Sequence, residues 1–218
     1  MGVFRQPGRN MGKIFCLMGK SSSGKDTIFK QLVEDKDLNL KPVISYTTRP
    51  IRYNESHGKQ YYFIDDERLA KYNETGSIIE QREYQTINGT WFYCTVDDGQ
   101  IDLSQPVGYL LIVTLEAYKS LQKHFGKDQI IPLYITVDDG IRLGRALKRE
   151  QKQPTPNYDE LCRRFLADSA DFHSTKLQDC GIEKYYPNEK LNECINSIKI
   201  DILGNLGSGC APSKGCII

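Results

Sequence analysis

The sequence lacks long apolar runs and a strong charge of either sign. None of its 218 residues belongs to a stretch near the roughly 20 apolar residues of a membrane span. The first ten residues also lack the apolar core of a signal peptide. Lys and Arg number 29 against 28 Asp and Glu, which leaves a net charge of +1. We therefore expect no membrane and no nucleic-acid partner, and a monomer or homodimer.

Patterned cysteine and histidine are also missing. The seven cysteines are an odd number without a C-x-x-C pair, and the three histidines, His57, His124 and His173, are scattered. These features argue against a disulfide framework and a zinc site, and favour reduced thiols in a cytoplasmic protein. We interpret the histidines as surface residues.

A glycine-rich stretch near the N-terminus carries the clearest pattern. It follows the apolar run Ile14 to Met18 and precedes apolar residues at helical spacing, which predicts strand, loop and helix. In such a loop the backbone N–H groups surround phosphate oxygens, and the lysine adds a full charge. The predicted ATP-binding residues are Gly19, Lys20, Ser21, Ser22, Ser23, Gly24, Lys25, Asp26 and Thr27. A flexible Ser/Gly turn is the alternative interpretation.

The residue after the loop lysine departs from the usual pattern. A Ser or Thr normally follows and ligates Mg²⁺, but here Asp26 stands there with Thr27 behind it. Carboxylate and hydroxyl oxygens are both ligands that Mg²⁺ accepts. We therefore predict Asp26 or Thr27 as the metal ligand, with Mg²⁺ as the cofactor that accompanies ATP.

The remaining pattern predicts an α/β fold with a doubly wound parallel sheet. From residue 108 onward, apolar strands alternate with helices, as a sheet covered on both faces requires. Residues 45–103 are instead rich in short strand patterns and turns, which predicts a β-rich insertion. We divide one domain, 11–203, into a core of 11–44 and 104–203, the insertion 45–103 and a helical lid at about 138–172. Residues 1–10 are expected to be an extension or an expression remnant, and 204–218 a disordered tail.

A second block gives the sequence a family resemblance. Ser45-Tyr46-Thr47-Thr48-Arg49-Pro50-Ile51-Arg52 is followed by Asn54-Glu55, Gly58 and Tyr61-Tyr62-Phe63. With the phosphate loop, this block resembles the guanylate kinases, over roughly residues 13–203. The resemblance implies a P-loop nucleoside monophosphate kinase that transfers the γ-phosphoryl group of Mg-ATP to GMP, with the acceptor bound by the insertion.

The residues of this block suit a phosphate on chemical grounds as well. Two arginines three apart, beside hydroxyl groups, can donate paired charge-assisted hydrogen bonds to a dianion. By resemblance, Ser45, Arg49, Arg52 and Tyr61 hold the acceptor phosphate, and Glu80 accepts hydrogen bonds from the guanine edge. A solvated basic loop and a surface carboxylate at a strand end are the alternatives.

Other positions depart from the family pattern. Where the family has Tyr-Gly-Ser/Thr, the sequence has Phe92-Tyr93-Cys94, and Ile112-Val113-Thr114 replaces Asp-x-Asp. This alignment predicts Phe92, Cys94 and Thr114 as GMP-binding residues, whereas a shift near Asn88-Gly89 would put Tyr93 in the tyrosine's place. A different nucleoside monophosphate therefore remains an alternative acceptor.

Arginines in the predicted lid complete the set of candidate functional residues. Arg142, Arg145 and Arg149 share a helical face, and Arg163-Arg164 follow on the next helix. The resemblance assigns catalytic roles to Lys25, Arg49, Arg145, Arg149 and Arg164, and an adenine contact to Asn188. A solvated basic face is the alternative for the lid. A non-catalytic module that binds phosphorylated ligands through Arg49 and Arg52 is the third functional interpretation, although such modules typically lose the donor loop.

Overall fold

A computed structural model describes residues 11–52, 55–86 and 89–207. These residues form nine strands and seven helices, with one 3₁₀ turn at Lys127–Gln129. The strands are β1 Lys13–Met18, β2 Lys41–Pro42, β3 Tyr46–Thr47, β4 Tyr62–Phe63, β5 Ile78–Thr86, β6 Gly89–Val96, β7 Gly108–Ile112, β8 Ile130–Thr136 and β9 Tyr185–Pro187. The helices are α1 Lys25–Glu34, α2 Asp66–Glu74, α3 Leu115–Phe125, α4 Asp139–Glu150, α5 Tyr158–Asp171, α6 Ser174–Asp179 and α7 Leu191–Leu206.

Five strands form a parallel sheet in the order β2-β7-β1-β8-β9. The central strand β1 is apolar on both faces, because helices cover both faces. Ile14 and Met18 belong to a core that includes α3, whereas Phe15 and Leu17 belong to a core that includes α1 and α7. The predicted doubly wound α/β fold is therefore confirmed. The carboxyl end of β1 opens directly into the glycine-rich loop.

The second sheet lies between β2 and β7 in the chain, within the range of the predicted insertion. Its order is β4-β3-β6-β5, with β6 antiparallel to both of its neighbours. Tyr46, Leu69, Cys94 and Val96 form a small apolar core between this sheet and α2. The predicted turn at Asn88-Gly89 falls partly outside the described residues, since β5 ends at Thr86 and β6 begins at Gly89.

Helices α4 and α5 each begin at a residue whose side chain caps the helix. The side chain of Asp138 accepts hydrogen bonds from two amides of α4, and that of Asn157 accepts one from Glu160. The Pro-Thr-Pro stretch between the helices lies outside both of them, as its missing N–H groups require.

Several element boundaries differ from the prediction. The strand predicted to reach Thr114 ends at Ile112, because Thr114 caps α3. The closing helix α7 continues to Leu206, so residues 204–206 of the predicted tail are helical. Residues 208–218 and 1–10 lie outside the described residues.

The described cysteines are free thiols, and four of the five are buried. Cys162 is the exposed one, on helix α5. Burial raises the pKa of Cys94 to about 12 and that of Cys194 to about 11. Among the described helices, none is long and apolar enough to cross a membrane.

Candidate active site

The loop between β1 and α1 has the backbone geometry of an anion-binding loop. Gly19 and Gly24 have φ angles of 155° and 90°, and Ser22 has a φ angle of 62°. A Cβ atom at Gly24 would collide with Nδ2 of Asn188. Lys25 follows as the first residue of α1, so the loop ends at a helix N-terminus that has unpaired N–H groups. The predicted succession of strand, loop and helix is confirmed, and ATP binding by the loop stays a prediction.

Asn188 supports the loop from below. It is buried, and its Nδ2 donates to the Ser23 carbonyl at 2.8 Å while its backbone N–H donates to Thr136 O at 2.8 Å. The predicted adenine-contact residue therefore donates a hydrogen bond to the loop backbone and restrains its conformation. The Ser23 hydroxyl is buried and has no hydrogen-bond partner within the described ranges. An unpaired buried hydroxyl costs free energy, which a phosphate oxygen within reach would recover.

Helices α4 and α5 are tied to the same loop by a charged contact that the sequence did not reveal. Arg142, only 1% exposed, donates from Nη1 to the Ser21 carbonyl at 2.9 Å and stacks on the Phe165 ring. Asp168 of α5 accepts a hydrogen bond from the Ser21 N–H at 2.7 Å, and Arg142 lies 3.4 Å from the same carboxylate oxygen. A side-chain carboxylate therefore occupies one donor of the loop.

The predicted lid arginines divide into two groups. Arg145 Nη2 lies 3.3 Å from Asn188 O, and Arg149 Nη2 lies 3.3 Å from the Ser22 hydroxyl, so both reach the loop. The Arg164 side chain is 52% exposed and pairs with Glu160 of its own helix at 3.0 Å. The structure thus brings two of the three together at the loop. Lys20 is held by an ion pair with Asp139 of α4 at 3.4 Å.

Lys25 is half-buried beside the loop. Burial lowers its pKa, while the negative charges of Asp26 and Asp168 act in the opposite direction. Asp26 and Thr27 are exposed in the first turn of α1, where their oxygens are accessible to a cation. No cluster of three acidic, His or Cys side chains suited to a metal occurs in the described ranges. One protein oxygen next to a polyphosphate fits Mg²⁺, which usually keeps several waters and takes its other ligands from the phosphates.

Arg49 lies on the acceptor side and is almost fully engaged by the protein. Its Nη1 and Nη2 donate to the Glu55 carboxylate at 2.8 and 2.9 Å, Nη1 also donates to Pro50 O, and Nε donates to the Tyr93 hydroxyl at 3.1 Å. The hydrogen bond from Arg49 lowers the pKa of Glu55. Within the described contacts, one Nη2 hydrogen remains for a ligand. Glu55 therefore orients Arg49, a role that the sequence pattern did not assign.

The other predicted phosphate-binding residues lie around Arg49. Tyr61 lies under its guanidinium, with 5.6 Å from Cζ to the ring centroid, and its ring meets that of Tyr93 edge-on. Burial raises the pKa of Tyr61, and Asp26 of α1 is among the charges that add to this. Arg52 is exposed and Ser45 is half-buried, directly before β3.

Glu80 lies in a polar group on β5 and β6. The carboxylate is 6% exposed, accepts a hydrogen bond from the Thr95 hydroxyl at 2.7 Å, and pairs with Arg82, whose Nε lies 2.9 Å from Oε2. A bulge between Ile78 and Glu80 precedes this group. The sequence interpretation identified Glu80 but not its two partners.

Two of the predicted base-site residues lie on the face of β6 opposite to Tyr93 and Thr95. Cys94 is fully buried in the apolar core of the insertion, and Phe92 packs against the same core. Their neighbours Tyr93 and Thr95 contact Arg49 and Glu80 instead. Side chains alternate along a strand, so an alignment error of one residue exchanges the two faces. The shifted alignment, with Tyr93 in the tyrosine's place, is the one that agrees with the structure.

Thr114 is placed at the end of β7, where its hydroxyl accepts a hydrogen bond from Ala117 N. It also lines a cavity of about 290 Å³ together with Tyr84 of β5 and Lys119 of α3. Its helix-capping contact explains the threonine without a ligand.

Comparisons with known proteins agree with this geometry. The sequence model of the family described as guanylate kinase matches residues 11–196. A curated guanylate kinase of Syntrophomonas wolfei is 29% identical over 213 residues, covering 88% of this chain and 92% of that protein. One of Porphyromonas gingivalis is 24% identical over 190 residues, covering 87% and 95%. A crystal structure of guanylate kinase from Anaplasma phagocytophilum has the same fold, with a TM-score of 0.60, 22% identity, and coverage of 90% of this chain and 87% of that one.

Proposed function

Because the chain belongs to the guanylate kinase family, we propose that it transfers the γ-phosphoryl group of Mg-ATP to GMP, giving ADP and GDP. The observation that supports this proposal is that the described structure offers two separate groups suited to anions. One is the glycine-rich loop with Lys25 at the start of α1, and the other is Arg49 of the insertion, which keeps one Nη2 hydrogen for a ligand and has Tyr61 under its guanidinium. A donor phosphate and an acceptor phosphate held there would lie on either side of a single reacting group.

On the donor side, the loop amides and Lys25 hold the terminal phosphates. Transfer of a phosphoryl group needs little covalent help, so these groups act by positioning and by stabilising charge on the equatorial oxygens. Arg145 and Arg149 already reach the loop and approach the same oxygens. Asp26 or Thr27 would hold Mg²⁺ beside the phosphates, where the ion would supply further charge neutralisation.

On the acceptor side, the phosphate of GMP is bound by the remaining Nη2 hydrogen of Arg49, the Tyr61 hydroxyl and the exposed Arg52. Ser45 is a further donor. Glu55 and Tyr93 fix the orientation of Arg49 through its other hydrogens. A guanidinium held in one orientation loses little conformational freedom when its ligand arrives.

The α4–α5 helix pair acts as a lid that must rearrange during the reaction. The Ser21 amide is paired with Asp168, so ATP has to displace this carboxylate before the loop can surround a phosphate. Rotation of α5 would release Asp168 and could bring Arg164 from its exposed position towards the phosphates. Closure of such a lid excludes water and suppresses hydrolysis of ATP.

Assays of ADP formation test the proposal. Mg-ATP is combined with GMP, dGMP, AMP, CMP, UMP or dTMP as acceptor, and we expect turnover with GMP and weaker turnover with dGMP. Turnover with a different base alone would support the alternative kinase and contradict the guanine assignment. Folded protein that binds ATP but phosphorylates none of the six would contradict the kinase proposal and favour the phospho-ligand-binding module.

A further inference from the structure

Arg82 is a buried arginine that the proposed reaction has not yet used. Its side chain is 13% exposed and pairs with Glu80 through Nε at 2.9 Å and Nη2 at 3.3 Å. Replacing a buried ion pair by apolar residues is often neutral or stabilising, so such a pair is weak evidence for a role in stability. The position of the pair in the sheet points to a ligand instead.

The sheet has one polar face and one apolar face at this point. Arg82 lies two residues from Glu80 on β5, so both side chains lie on the same face. Their partners across the ladder are Tyr93 and Thr95, which contact Arg49 and Glu80. The opposite face carries Cys94 and packs into the insertion core. Arg82 therefore lines the same side as the groups proposed to bind GMP.

The hydrogen-bonding groups of this pair complement guanine. The ring presents an acceptor at O6 next to donors at N1–H and the 2-amino group, and Glu80 supplies only acceptors. Because Thr95 and Arg82 occupy three of its four lone-pair sites, the bond from Arg82 Nη2 to Oε1 must be released before Glu80 can accept both base hydrogens. The Thr95 hydroxyl donates to Glu80, and the Cys94 thiol lies in the apolar core. The described bonds of Arg82 use Nε and one Nη2 hydrogen, which leaves both Nη1 hydrogens and one on Nη2.

We propose that Arg82 reads the O6 edge of guanine while its partner Glu80 reads the N1–H and 2-amino edge. This inference rests on the proposed function. Arginine is a common partner of the guanine O6 and N7 atoms elsewhere. Adenine carries an amino group where guanine has O6, so the donor hydrogens of Arg82 would face donor hydrogens. Adenine is thereby rejected at two positions by two residues of one strand.

The charge of Arg82 is secured by its environment. Burial alone lowers the pKa of an arginine, but the adjacent Glu80 carboxylate, with smaller contributions from Tyr84 and Tyr61, keeps the pKa of Arg82 above its ordinary value. Arg82 therefore stays charged across the neutral range.

Three acceptors separate the two edges of the base. GMP has the full edge, 6-thio-GMP replaces O6 by a weakly accepting sulfur, and IMP lacks the 2-amino group. In Arg82→Met, we expect kcat/KM for GMP to fall by about 10- to 100-fold, the range of one good arginine contact to a guanine edge. The preference for GMP over 6-thio-GMP should collapse towards one, while the preference for GMP over IMP is retained. Glu80→Gln should show the reverse pattern.

Controls distinguish base reading from a structural role. Gln81→Met, one residue away on the opposite face of β5, should retain wild-type preferences. If Arg82 only neutralises Glu80, Arg82→Met will lower turnover of all three acceptors by the same factor, which overturns the inference. Unchanged KM for ATP and an unchanged circular dichroism spectrum confirm that the variant is folded.

A second variant covers the case in which Arg82→Met does not fold. Arg82→Lys keeps a positive partner for Glu80, but one ammonium cannot hold both carboxylate oxygens and a base oxygen in the fixed fork of a guanidinium. We expect at least a threefold loss of the preference for GMP over 6-thio-GMP, and an unchanged preference overturns the inference. Wild-type protein without any GMP turnover overturns the proposed function together with this inference, whereas normal GMP turnover with unaltered preferences in the variants overturns this inference alone.

Discussion

At the scale of single residues, ligand binding depends on which hydrogen-bonding groups remain available after the others have bonded within the protein. Arg49 is the clearest case, because all but one of its N–H groups are directed to Glu55, Pro50 and Tyr93 in the described structure. Lys25 is the opposite case, a half-buried charge without a paired carboxylate in the described ion pairs. The negative charges of Asp26 and Asp168 offset only part of its burial, and a bound polyphosphate would stabilise it further.

Replacing Lys25 tests how far its charge destabilises the ligand-free protein. Its pKa is lowered by burial, so the folded state binds this proton less tightly than the unfolded chain does, and the charge opposes folding at neutral pH. We expect Lys25→Met to raise the melting temperature of the ligand-free protein while abolishing phosphoryl transfer and ATP-dependent stabilisation. Thermal melting with and without ATP measures both effects. Near-normal turnover in the variant would contradict the assigned role.

Tyr93→Phe tests which face of β6 serves the acceptor. The change removes the hydroxyl that accepts a hydrogen bond from Arg49 Nε, so the guanidinium loses one restraint. We expect KM for GMP to rise about fivefold, in line with roughly 1 kcal/mol for one hydrogen bond, with KM for ATP unchanged. Phe92→Leu, which affects the apolar face, is the matched control and should alter stability but not KM. A raised KM for GMP in Phe92→Leu with an unchanged KM in Tyr93→Phe would support the unshifted alignment.

At the scale of whole elements, the contact of α5 with the loop makes the lid a competitor of the nucleotide. The Asp168 carboxylate takes the Ser21 amide, and it brings a negative charge to a place where phosphate must bind. We expect Asp168→Asn to bind ATP roughly fivefold more tightly, because the amide oxygen accepts only a neutral hydrogen bond from Ser21, which costs about 1 kcal/mol less to break than the charge-assisted one. Isothermal titration calorimetry with ATP measures this change.

Asp171→Asn is the control for that experiment. Asp171 is exposed on the same helix, so the variant loses the same charge without a described contact to the loop. Equal effects of the two variants would mean that the net charge of the lid, and not the Ser21 contact, governs ATP affinity.

Most elements could be predicted because their signals are local. The apolar run of β1, the glycines after it and the caps Asp65 and Asn157 each act within a few residues. The short strand β3 was not predicted, since Tyr46 and Thr47 form a strand only through ladder partners distant in sequence. For the site, the loop was predictable, whereas Arg142 and Asp168 were not, because a contact over 26 positions leaves no pattern in either segment.

At the scale of the whole molecule, ion pairs occur both between distant segments and within the insertion. Asp35 after α1 pairs with Lys199 of α7, and Glu55 pairs with Arg49 inside the insertion. The hydrogen bonds from these cations lower the pKa of each carboxyl group. A carboxyl with a lowered folded-state pKa contributes stability above its unfolded-state pKa, and this contribution is lost as the pH falls through the folded-state pKa.

Acid should therefore destabilise the protein before base does. We expect the free energy of unfolding to be nearly constant between about pH 5.5 and 8, and to fall steadily below about pH 4, where free carboxyl groups protonate. Urea unfolding followed by circular dichroism across this range is the measurement. In Glu55→Gln the decline below pH 4 should be shallower, and an unaltered slope would show that the Arg49–Glu55 pair does not contribute.

The single exposed thiol among the described residues provides a site on the lid where a fluorescent dye can be attached. Cys162 lies on α5, while the other described cysteines are buried and their raised pKa values keep them as unreactive thiols. With Cys210 and Cys216 of the undescribed segment changed to serine, a maleimide dye would attach at one place on an otherwise natural chain. Its emission, observed in a stopped-flow mixer, would give the rate at which α5 moves when ATP arrives, separately from the rate of phosphoryl transfer.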